Sequence, residues 1–122
     1  MNLEENYLNQ IIVIGDKVLI RPTTPMEKTT SGLFLPPTVI EKEKVQQGYV
    51  VKTGPGYAIP IPMENEDWKP KEEQIQYIPL QVREGDLAIF LVNSAIEVQL
   101  NGEKYYIVPQ HAILMVERKD FF

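Results

Sequence analysis

Cysteine is absent from this chain of 122 residues, which removes disulfides, thiolate metal ligands and cysteine nucleophiles together. Histidine occurs once, as His111, so no histidine-based metal cluster can form. Lying two residues after Pro109 and just before an apolar run, it reads as a structural residue. Positive charge is scarce as well: 12 Lys and Arg stand against 17 Asp and Glu, a net charge of −5. No stripe of basic residues with interleaved aromatics appears, and nucleic acid is therefore not an expected partner. Apolar runs are far too short to span a bilayer, so no membrane association is expected either. The start of the chain, Met1-Asn2-Leu3-Glu4-Glu5-Asn6, has no basic region leading into an apolar core, as a secretory signal would. The expectation is a cytoplasmic protein.

A catalytic constellation is also missing. Most carboxylates fall in charge runs (Glu41 to Lys44, Glu64 to Asp67, Glu72-Glu73), which read as solvated faces rather than acid–base pairs. Gly54-Pro55-Gly56 is followed by nothing like the lysine-bearing helix start of a phosphate loop, and it reads as a turn. No catalytic residue, metal site or cofactor is expected, and the chain does not read as an enzyme.

What the chain does have is a set of short β-type runs. At this length and 43% hydrophobic residues it fits one domain with a modest core. Asp16 to Pro22 reads as a strand ended by proline, and Gly48 to Thr53 as a β-branched strand stopped by Gly54-Pro55-Gly56. Gly85-Asp86 opens the apolar run Leu87 to Val92. Ile96 to Leu100 alternates apolar and polar residues, Asn101-Gly102 follows, and Glu103 to Val108 resumes. An Asn-Gly pair between two such runs predicts a hairpin, because both residues tolerate positive φ. Ala112 to Glu117 forms a last strand. Short strands, regular turns and ten prolines predict an all-β fold, a small barrel or sandwich. Leu3, Tyr7, Leu8 and Ile11 are spaced as on a helix and predict a short N-terminal turn that docks on something. Tyr57 to Gln76, proline-rich and then acidic, reads as an excursion anchored by Trp68.

The segment from Thr23 to Lys44 has no sustained period of two or of 3.6. Within it, Ser31-Gly32-Leu33-Phe34-Leu35-Pro36-Pro37 sets three large apolar residues between prolines, threonines and a charge run. The tripeptide fits two roles: a core strand caught between loops, or a hydrophobic hook on a long surface loop. Loops of this length without secondary structure are usually functional or disordered.

Taken in order, the strand Asp16 to Pro22, the polar loop with Ser31-Gly32-Leu33-Phe34-Leu35-Pro36, the strand Gly48-Tyr49-Val50-Val51 entering Gly54-Pro55-Gly56, the run Val82 to Phe90 and the closing strand Ala112 to Val116 resemble the co-chaperonin family, the GroES-type lids of group I chaperonins. The resemblance covers about Ile11 to Glu117. It implies a small irregular GroES-like β-barrel over residues 11–118, with a mobile loop over 23–44 and a roof excursion over 57–79. Residues 1–10 and 119–122 are then terminal extensions. It further implies a ring-shaped lid, a homo-oligomer of seven copies, that binds the apical domains of an ATP-bound group I (GroEL-type) chaperonin ring and closes its folding chamber. Gly32 would be the turn glycine of the loop, Leu33, Phe34 and Leu35 the hook, and Pro36 its flank. Subunits would pair the N-terminal strand of one copy, Ile11, Ile12, Val13 and Ile14, with the C-terminal strand of the next, Ile113, Leu114, Met115 and Val116. Phe34 is bulkier than the aliphatic residue usual at the middle of the hook, and Tyr57 to Val82 is longer and more acidic than the usual roof. The alternative is a GroES-like barrel serving as a plain binding or assembly module, distinguished by whether Leu33-Phe34-Leu35 is exposed or packed into its own barrel.

Overall fold

A computed structural model describes residues 7–23, 45–60 and 75–119. Among these residues eight strands run in chain order: β1 Lys17–Pro22, β2 Val45–Thr53, β3 Tyr57–Pro60, β4 Ile75–Ile78, β5 Leu87–Leu91, β6 Ile96–Leu100, β7 Glu103–Pro109 and β8 Ile113–Glu117. Six form one sheet in the order β6-β7-β1-β2-β5-β8, while β3 and β4 form a separate two-stranded ladder. Every pairing is antiparallel. The all-β expectation holds.

Burial shows that this sheet is wrapped, as a small barrel requires. Successive side chains on a strand point to opposite faces, so a flat sheet with one wet face shows alternation. In β1, Val18, Leu19 and Ile20 are all buried, and in β5 so are Leu87, Ala88, Ile89 and Phe90. Both faces of these strands are therefore covered. Two register shifts, at Leu19/Ile20 against β2 and at Ile89/Phe90 against β8, supply bends of the kind that bulges introduce. The core gathers Val18, Ile20, Val50, Val82, Phe90, Tyr106 and Val108. Phe90 and Tyr106 meet there with ring centroids 5.4 Å apart and planes tilted by 58°, within the favourable range for aromatic pairs.

The turns follow local chemistry. Asn101 and Gly102 both have positive φ, 54° and 81°, and Leu100 pairs directly with Glu103, giving the expected two-residue hairpin. After β2 the chain turns sharply: the Gly54 N–H donates to the Lys17 carbonyl at 2.9 Å and the Gly56 N–H to the Gly15 carbonyl at 3.0 Å. Gly56 has φ +116°, and a Cβ there would strike the Ile78 carbonyl oxygen, so no other residue fits without moving β4.

The β3–β4 ladder, within the span read as an excursion, hangs from this turn. Residues 61–74, including Trp68, lie outside the described residues. One side chain ties the ladder's base to the barrel. The Gln110 Oε1 accepts from the Gln81 and Val82 N–H groups at 2.7 and 3.2 Å, and its Nε2 donates to the Tyr57 hydroxyl at 3.3 Å. The same residue's backbone N–H donates to the Asp16 carbonyl.

A second tie closes the other side of the barrel. The Asp86 carboxylate, 1% exposed, accepts from Arg118 Nε at 2.7 Å, from Arg118 Nη2 at 2.6 Å and from the Arg83 N–H at 2.8 Å. Arg118 Nη2 also donates to the Gln81 carbonyl at 3.0 Å. The residue that follows β8 is thus bound to the turn that precedes β5.

Candidate functional site

Three surfaces bear on function: the roots of the 24–44 segment, the N-terminal stretch, and the β8 edge. Gly32, Leu33, Phe34, Leu35 and Pro36 lie outside the described residues. What is described is where their segment leaves the barrel and where it rejoins. It departs after Thr23, one residue beyond β1, and returns at Val45, the first residue of β2. These strands are neighbours, with Pro22 paired to Gly48 and Arg21 to Tyr49, so both roots sit at one end of a single ladder.

The departing root is held firmly. Thr23 is 6% exposed and its N–H donates to the Gln47 carbonyl at 3.1 Å. Its hydroxyl accepts from Gln47 Nε2 at 3.1 Å, and its carbonyl accepts from Gln46 Nε2 at 3.2 Å. Gln47 itself is fully buried. A buried amide side chain is costly unless bonded, and its Nε2 bond runs to Thr23. Sequence reading missed these residues: two glutamines before a glycine look like loop, and no local signal marks them as core.

The N-terminal stretch begins with a helical turn at Tyr7–Leu8, closed by Gln10 N–H to the Tyr7 carbonyl and Ile11 N–H to the Leu8 carbonyl, both 3.0 Å. Lys52 Nζ donates to the Leu8 carbonyl at 3.1 Å, so the turn docks on β2. Ile11 to Ile14 then runs without a strand partner among the described residues. Its exposure alternates: Ile11 and Val13 are half-buried, whereas Ile12 is 80% and Ile14 73% exposed. Ile11 and Val13 line an apolar recess of about 280 Å³ with Leu19, Val98, Leu100 and Ile107.

At the opposite end of the sheet order, β8 pairs only with β5 among the described residues. Ile113 and Val116 pack against the core, while Leu114 and Met115 remain half exposed. A second recess of about 300 Å³ runs beside this edge, lined by Tyr57, Gln81, Gln110, His111, Leu114 and Met115. An open edge strand offers unpaired N–H and C=O groups, and natural proteins normally cover, charge or pair such edges. Exposed apolar side chains lie on both stretches, Ile12 and Ile14 on one and Leu114 and Met115 on the other.

The electrostatics are dominated by Asp86. Burial pushes its carboxyl up, but the Arg118 and Arg83 hydrogen bonds and charges outweigh that and hold it below the ordinary aspartate range. Among the described residues no group of three His, Asp or Glu gathers as a metal site, and no helix is long and apolar enough to cross a membrane.

Comparison with known proteins converges on one family. Residues 10–117 match the family model described as the chaperonin 10 Kd subunit. The chain is 35% identical over 107 residues to the co-chaperonin GroES of Coprothermobacter proteolyticus, covering 88% of this chain and 94% of that protein. It is 32% identical over 103 residues to the co-chaperonin GroES of Thermus thermophilus, covering 84% and 87%. Against the Symbiobacterium thermophilum protein of the same name the figure is 37% over 95 residues, 78% and 82% of the two chains.

Proposed function

The chain belongs to the chaperonin 10 Kd subunit family, and on that premise we propose that it is a co-chaperonin: a cytoplasmic ring, most simply of seven copies, that caps the apical domains of an ATP-bound group I chaperonin and closes its folding chamber. The observation that carries the proposal is the family match across residues 10–117, which spans the barrel, both segment roots and the hook. Leu33, Phe34 and Leu35 supply the contact, with Gly32 and Pro36 shaping it.

The energetics favour many weak hooks. Burying one Leu or Phe side chain is worth roughly 1.5–3 kcal/mol, so three give about 5–9 kcal/mol per loop. Ordering a segment on binding takes back about 2–5 kcal/mol or more. One loop alone binds weakly, but several on one ring make every contact after the first intramolecular and raise avidity by about 10²–10⁴. Weak individual contacts also permit release, as a lid driven by a nucleotide cycle requires.

Assembly follows from the two exposed stretches. Ile11 to Ile14 of one copy adds to the β8 edge of the next, Ile113 to Val116, which completes the ladder and covers Ile12, Ile14, Leu114 and Met115. Light scattering on the purified chain at micromolar concentration should give the mass of a ring, and a stable monomer there would contradict it.

The deciding experiment is sedimentation or surface capture with its own organism's group I chaperonin ring. Binding in ATP that disappears without nucleotide is the expected result. Absence of binding in both conditions would overturn the lid function and leave the barrel as an assembly module.

A further inference from the structure

We infer that Lys52 and the turn at Tyr7–Leu8 form a latch that sets which face of Ile11 to Ile14 is presented to the next copy of the chain. The inference rests on the proposed assembly through that stretch.

Four successive apolar residues, Ile11-Ile12-Val13-Ile14, do not specify a face. Alternate side chains of an extended chain point to opposite sides, and a slip of one residue exchanges the two sets. Where one set is polar, burial itself forbids the slip. Here either pair, Ile11 with Val13 or Ile12 with Ile14, suits an apolar recess, so hydrophobicity alone does not choose. The structure nonetheless holds one choice. Ile11 and Val13 are half-buried beside Leu19, Val98, Leu100 and Ile107, while Ile12 and Ile14 turn outward at 80% and 73% exposure.

The stretch is fastened at both ends. Downstream, the Lys17 N–H donates to the Ile14 carbonyl at 3.3 Å and the Gly56 N–H to the Gly15 carbonyl at 3.0 Å. A Cβ on Gly54 would strike that Gly15 oxygen, so the turn after β2 lies tight against the chain here. Upstream, the Leu8 carbonyl accepts twice, from the Ile11 N–H at 3.0 Å and from Lys52 Nζ at 3.1 Å. Lys52 pairs directly with Leu19, a residue of the recess, so latch and recess share one face of the ladder. Leu8 lies outside the span 10–117 that matches the family, so family membership alone does not call for this contact. A strand already held in its paired register loses less freedom when a neighbour adds to it.

Lys52→Met keeps the apolar stem and deletes the donor, Lys52→Arg keeps a charged donor, and Gln10→Pro breaks the turn at an exposed position. Each full-length chain is compared with wild type by light scattering over a dilution series, and by amide exchange at a concentration where all are assembled. A half-buried hydrogen bond to a charged group is worth about threefold to tenfold in an equilibrium. With one such stretch per protomer, the concentration at which the ring half-dissociates should rise by about that factor in Lys52→Met and Gln10→Pro. Their Ile11 amide should exchange faster, while the Val50 amide, bonded to the Asp86 carbonyl in the barrel, should not change. Lys52→Arg should stay close to wild type. Wild-type dissociation in both weakened variants would overturn the latch, as would an unchanged Ile11 amide; if Lys52→Met does not fold, Gln10→Pro alone decides. A wild-type chain that is itself monomeric would instead bring down the ring, and with it any strand positioned for a neighbour.

Discussion

Serine at both Leu33 and Leu35 should abolish nucleotide-dependent capture at chaperonin concentrations that saturate the wild-type ring. Each leucine contributes roughly 1.5–3 kcal/mol of burial, so the pair removes about 3–6 kcal/mol from every loop. Since 1.4 kcal/mol is a factor of ten in affinity, one loop loses about two orders of magnitude or more. Avidity compounds the loss, because each later contact depends on the same hook. The barrel should be indifferent, since its core is built on Val18, Ile20, Val50, Phe90, Tyr105 and Val108. Ring mass and thermal midpoint are the controls, and both should stay at wild-type values. A double variant that still binds in ATP would show that the contact is made elsewhere on the chain.

Arg118→Met should cost about 3–5 kcal/mol at neutral pH, the usual penalty for leaving one member of a buried ion pair alone. Arg118 retains some solvent contact, at 29% exposure of its side chain, whereas Asp86 has almost none at 1%. Removing the arginine is therefore the harsher deletion: it strands a carboxylate with one remaining backbone donor, the Arg83 N–H. The pH dependence gives a sharper test. In wild type the Asp86 pKa is lowered, so the native state binds this proton less readily than the unfolded chain, whose aspartates titrate near 3.9. Stability from this group is present above about pH 4 and is lost as pH falls through the lowered native value. Without Arg118, burial dominates and the carboxyl moves up, so the variant regains stability as acid neutralises it. The difference between wild type and variant, measured by denaturant unfolding at one fixed protomer concentration, should narrow from pH 7 towards pH 4. A difference that stays constant or widens would show that the pair contributes packing rather than charge.

The hairpin at Asn101-Gly102, the proline end of β1 and the apolar run of β5 were legible because each is dictated by neighbours in sequence: two positive-φ residues, a missing N–H, a continuous apolar stretch. Ile96 to Leu100 was read as alternating, and Val98 and Leu100 do turn towards the apolar recess beside Leu19 and Ile107. The polar start of β2 was not legible. Sequence reading began that strand at Gly48, whereas it starts at Val45, because Val45, Gln46 and Gln47 gain their place by pairing with Leu91, Phe90 and Ile89 of β5, more than forty residues downstream. Nor did Asp86 stand out, since its partner Arg118 is distant in sequence and lies beyond the last strand. From the residues alone the ladder of β3 and β4 read as an excursion, because Tyr57–Pro60 and Ile75–Ile78 are four residues each, too short to show a period; a hairpin after the Gly-rich turn was what the resemblance implied. At Leu33-Phe34-Leu35 the local pattern fitted a core strand as well as a loop, and the hook reading rests on the resemblance.

The joint at Gln110 bears on where this molecule tolerates change. The Gln110 amide, with the Gly56 turn, fastens the foot of the β3–β4 ladder to the barrel, and the six strands of the main sheet all come from outside the span between Pro60 and Ile75. Length added or removed between those two residues leaves every register of that sheet as it was. A peptide tag or a fluorophore spliced there would ride on the arm, with the barrel beneath left as it was.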